Sequence, residues 1–118
     1  MTTIFLAEEL ATKVTAIIYE REPGLLERFG EKGKTKCYED NLHHLNHLKT
    51  AFDLQDIAVF TDYTKWLNGI LIKHGMESKH LIDNFAIIRD VLKDYKDSDS
   101  KRLDFYQTAL KAGINSIA

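Results

Sequence analysis

The chain's chemistry-bearing side chains crowd into one run, Cys37-Tyr38-Glu39-Asp40-Asn41-Leu42-His43-His44-Leu45-Asn46-His47-Leu48. Three of the five histidines fall within five positions. Helical spacing gives the run two sides. Its apolar arc carries Tyr38, Leu42, Leu45, Leu48 and Phe52. Cys37, Asp40, His44 and His47 share one flank of that arc. Residues three or four apart on a helix meet, so Asp40 can reach His44 and His44 can reach His47. A carboxylate and imidazoles so placed suit a metal or haem-ligand face. They equally suit a structural pair at the core edge, with Asp40 orienting His44 and His47 left in solvent. A second pair lies downstream. Tyr63 and Trp66 are three apart, each an apolar ring with a polar tip that wants a partner when buried. Antiparallel packing of their helix on the first would bring the Tyr63 hydroxyl or the Trp66 indole to His44 or Asp40. Trp66 is expected in the core.

Other chemistries find less. Gly33-Lys34-Thr35 resembles the end of a phosphate-binding loop, but Arg28 stands where its first glycine belongs and no buried strand precedes it. Of the serines, Ser78, Ser98 and Ser100 sit at helix starts or a break, where capping explains them, and Ser116 is near the end of the chain. Cys37 with one histidine lacks a third orienting group. The one Glu-x-x-His, at Glu77 and His80, has no facing copy, so a carboxylate-bridged metal pair is not supported.

The elements that must hold these residues are helices. Helical period runs from about Thr3 to Arg21, ending at Pro23-Gly24. Leu25 to Lys34 reads as a charged connector with a short packed turn. A second helix spans about Thr35 to Phe52. Asp53 and Asp56 offer caps to a third, which stops at Gly75 after Lys73 and His74. Ser78 is expected to cap a fourth, with the stripe Leu81, Phe85, Ile88, Leu92 and Tyr95. Lys96 to Ser100 is a polar break. A fifth carries Leu103, Tyr106, Leu110 and Ile114, weakened near its end by Gly113. Connections this short predict an all-α antiparallel up-and-down bundle of four main helices plus a fifth, as one domain over residues 1–118.

Composition narrows the class. The 118 residues carry 16 basic and 18 acidic side chains, a net charge of −2, so no basic excess points to nucleic acid. No apolar run reaches the roughly 18 residues that span a membrane. Two glutamates interrupt the N-terminal apolar stretch, against a signal peptide. A single cysteine fits a reducing, cytoplasmic setting.

Phe29-Gly30-Glu31-Lys32-Gly33, Cys37, Glu39-Asp40, His44-Leu45 and Leu48 resemble a helical domain of bacterial cobalamin-binding sensory proteins, where it precedes the corrin-binding domain. The likeness continues through Phe60, Asp62-Tyr63, Trp66, Leu71, Gly75, Leu81 and Arg89-Asp90-Val91-Leu92, over roughly residues 25 to 92. It implies a sensory or regulatory module, with Cys37, Asp40, His44, Tyr63 and Trp66 at the marked positions. Asp-x-His-x-x-Gly, the cobalt-ligating motif, is absent from the sequence. The expected function is a stand-alone sensor or protein-interaction module without catalysis. It is expected to be homodimeric through the back of the third helix (Ile57, Ala58, Ile72). The alternative is a bundle holding haem, a metal or a small molecule at Asp40, His44, Tyr63 and Trp66. The sequence names no cofactor.

Overall fold

The computed structural model describes residues 7–95 and 100–118, which form five helices and no strand. The expected first turn at residues 3–6 and most of the polar break, residues 96–99, lie outside the described residues. The helices are α1 (Ala7–Arg21), α2 (Gly24–Leu54), α3 (Ile57–Lys73), α4 (Ser78–Asp94) and α5 (Ser100–Ile117).

Leu25 to Lys34 is not a connector. It is helical and continuous with α2, except at Gly30 (φ 66°, ψ −167°). That backbone region is essentially restricted to glycine. One residue therefore redirects a helix that local propensity would otherwise run straight. The arm before it carries Phe29, exposed, with the Arg28 guanidinium 5.1 Å from its ring centroid. Gly33 and Lys34 lie in the helix proper, so no phosphate-cradling loop forms there.

Gln55 closes α2 in the left-handed conformation (φ 51°). Asp56 then caps α3 as expected, its carboxylate accepting from the Ala58 N–H at 2.9 Å. The α4 cap falls one residue earlier than expected. Glu77, not Ser78, is the cap, and His80 completes a capping box with its ring nitrogen on the Glu77 N–H.

All five helices feed one core. It holds Leu10 and Val14 of α1, Leu45 and Leu48 of α2, and Phe60 and Tyr63 of α3. Phe85, Ile88 and Leu92 come from α4, and Tyr106 and Leu110 from α5. Tyr106 and Leu110 are fully buried, so α5 is a core member and not an addition to the outside. Ile57 packs against this core. Lys65 interrupts the face between Ala58 and Ile72, so the back of α3 offers no continuous apolar patch.

Gly113 is buried where α5 crosses α3. A Cβ there would lie 2.9 Å from Thr64 Oγ1 and 3.0 Å from Phe60 Cε2. Both neighbours are fully buried, and Thr64 is tied to the Phe60 carbonyl at 2.8 Å. Alanine gains up to about 1 kcal/mol of helix propensity, while overpacking costs about 1–3 kcal/mol. Gly113→Ala is therefore expected to destabilise the fold by on the order of 1 kcal/mol, read as a lower urea midpoint at unchanged m-value. A stabilised variant would mean the α3–α5 crossing relaxes freely.

Candidate functional site

The buried stripe of α2 is Asn41, His44, Leu45, Leu48 and Ala51. It is rotated from the expected apolar arc, leaving Tyr38, Leu42 and Phe52 at its margin. Two polar residues thus occupy core positions, and each needs a partner. Asn41 finds one on α4. Its Nδ2 donates to Asn84 Oδ1 at 3.3 Å, and Asn84 Nδ2 donates back to Asn41 Oδ1 at 2.6 Å. Asn41 Nδ2 also donates to the Cys37 carbonyl at 3.0 Å. Sequence reading missed this pair. Its only signal was the spacing of Asn41 from Leu45 and Leu48, which the residue's polarity masked.

His44 finds its partner on α3. Its Nδ1 lies 2.7 Å from the Tyr63 hydroxyl. The ring is held edge-on by Tyr63 and by Phe85, with centroids at 5.8 Å and 5.1 Å. Burial pushes the imidazole down to about 3, and the nearby His43 and His47 push the same way. Burial also raises the Tyr63 hydroxyl well above its usual range, with Asp40 adding to the rise. At neutral pH both groups are uncharged. The hydroxyl then donates to an unprotonated Nδ1, an arrangement that needs no ion in the core.

His47 closes the outer side. Its ring stacks on Tyr63 at 3.7 Å and 14°, held there as Nδ1 donates to the His43 carbonyl at 2.8 Å. His47 is half-buried, not left in solvent.

Three expected members lie elsewhere. Asp40 does not orient His44; its carboxylate accepts from Lys36 Nζ at 2.8 Å, an (i, i+4) surface pair that competes for the same oxygen at less desolvation cost. Cys37 faces α1. Burial pushes its thiol up, against the opposing pull of Thr15 and Asn41, so the thiolate needed for nucleophilic or ligand chemistry is disfavoured. It sits seven residues from His44, about 10 Å along the helix, beyond hydrogen-bond reach. Trp66 is not core. It is 64% exposed, its ring 6.4 Å from that of Tyr63. Among the described residues, no three of His, Cys, Asp and Glu converge where a metal ion could be held. No described helix is long and apolar enough to cross a membrane.

The result is a graded aromatic stack. Phe85 and His44 lie inside, Tyr63 and His47 at the boundary, and Trp66 outside. No family model, no curated protein and no solved structure matches the chain. The reading of this stack rests on its own geometry.

Proposed function

We propose that this chain is a non-catalytic helical interaction module with a regulatory role, presenting the α2–α3 face to a protein. The observation that carries the reading is Trp66. A large ring held in water, backed by an ordered layer of Tyr63 and His47, is the side chain and setting from which interface hot spots are drawn. The hydrogen-bonded His44 and Tyr63 behind it form a rigid support, which lowers the ordering cost of binding. The regulatory part rests on the resemblance over residues 25 to 92. The half-buried lone thiol of Cys37 suits a cytoplasmic setting. The helices are read as an antiparallel bundle.

Trp66→Ala separates this role from a structural one. The exposed ring is expected to contribute within about 0.5 kcal/mol to folding, but about 2 kcal/mol or more to association. A photo-crosslinking aromatic residue placed at Trp66 in the native cell should yield a defined protein adduct. The same residue at exposed Thr108 on α5 should not. A Trp66 position that gives no adduct, or an alanine variant that unfolds, would sink the reading.

A further inference from the structure

We infer that the partner on this face is a second copy of the chain, docked antiparallel along α3 about a two-fold axis between Trp66 and Gly69. This rests on the interaction-module reading and names its partner. One exposed face of α3 carries Asp62, Trp66, Gly69 and Lys73, with half-buried Ile70 at its margin. The spacing of these residues is self-complementary. In an antiparallel pair, residues at equal distances either side of the axis face each other. The midpoint of 66 and 69 is also the midpoint of 62 and 73. One two-fold axis therefore sets Trp66 against the second copy's Gly69 and Asp62 against its Lys73, each contact made twice.

Both contacts are prepared. A Cβ at Gly69 would meet nothing within 4 Å, so the helix surface beside the indole is open. An indole can lie flat there, with the two helix axes close. Asp62 and Lys73 are both exposed, and neither belongs to any of the ion pairs formed among the described residues. They sit about 16 Å apart along the helix, too far to pair within one chain and correctly placed to pair across the axis. A single helix–helix contact buries less than the roughly 800 Å² per partner of a standard interface. The dimer is therefore reversible and concentration-dependent.

Charge reversal with rescue tests the inference. Sedimentation equilibrium over a concentration series should show self-association of the wild type. Asp62→Lys and Lys73→Asp each place like charges across the axis and should weaken it roughly tenfold or more. The double variant restores opposite charges and should recover it. Trp66 is the only tryptophan, so its emission should shift to the blue as the wild type associates. A monomer at every concentration overturns the inference, as do association indifferent to the single reversals or an unchanged Trp66 emission. The photo-adduct at Trp66 separates the two readings. An adduct to a different protein removes the second copy and leaves the interaction module standing. No adduct removes both.

Discussion

Lowering the pH from about 7 toward 4 is expected to destabilise the wild-type protein by several kcal/mol, with His44 as the largest single source. The imidazole is held at about 3 in the folded state against an ordinary value of 6.5. Between these values the unfolded chain binds a proton that the folded chain refuses. Stability thus rises with pH through that window and falls as pH drops, by up to about 1.4 kcal/mol per pH unit from this one group. The stabilising contribution is fully present above pH 6.5. The groups facing His44 do not offset it. Tyr63 and Phe85 are neutral, while His43 and His47, once charged, repel a proton on His44. Nearby Asp40 is engaged with Lys36. Domains of this kind hold about 5–15 kcal/mol in total, so the loss is large enough to bring acid unfolding within reach. Urea midpoints measured at pH steps from 7 to 4 for the wild type and for His44→Gln give the test. The variant should be less stable at neutral pH, with a flatter dependence. Equal slopes in the two proteins would mean that His44 is hydrated or already protonated. Tyr63→Phe serves where the first variant folds poorly. It leaves Nδ1 without its donor, at about 1–3 kcal/mol, while retaining the titrating ring and hence the slope.

The contact of His44 with Tyr63 was one of the pairings that helical period left open, beside others through Asp40 and Trp66 that the fold does not make. The Asp56 cap and the α4 stripe were legible, since each is decided locally. Three features were not. The rotation of α2 depends on Asn41 being buried against Asn84, a contact with a residue 43 positions away whose energy no local pattern carries. The helical arm at residues 24–29 is largely exposed and joins α2 through the turn at Gly30, where the charges and the nearby glycines read locally as a connector. Trp66 has the residue type and spacing of a core anchor, and only the position of α2 beside Tyr63 shows that the core is already closed behind it. Of the six residues the sequence offered, the fold brings His44, His47 and Tyr63 together, while Asp40 pairs with Lys36, Cys37 turns to α1 and Trp66 stands exposed.

Phe85→Ala is expected to cost about 3–5 kcal/mol, and its second effect falls on His44. Phe85 is fully buried, 5.1 Å from the His44 ring and 5.2 Å from that of Phe60. Truncation removes the apolar wall on one side of the imidazole. Desolvation is the first cause of the depressed value. A cavity bordered by a ring nitrogen can take up water, where an all-apolar one stays dry. His44 should then titrate closer to its ordinary value, and the acid-dependent loss of stability should shrink relative to the wild type. The two effects separate by measurement. The urea midpoint at pH 7 reports the cavity, and the change of that midpoint between pH 7 and 5 reports the imidazole. Phe85→Leu keeps most of the volume and should retain most of both properties. A Phe85→Ala protein with low stability but an undiminished pH dependence would show that Tyr63 and the helix backbones, not Phe85, keep water from His44. Phe85 would then contribute packing alone, with no part in setting the titration of His44.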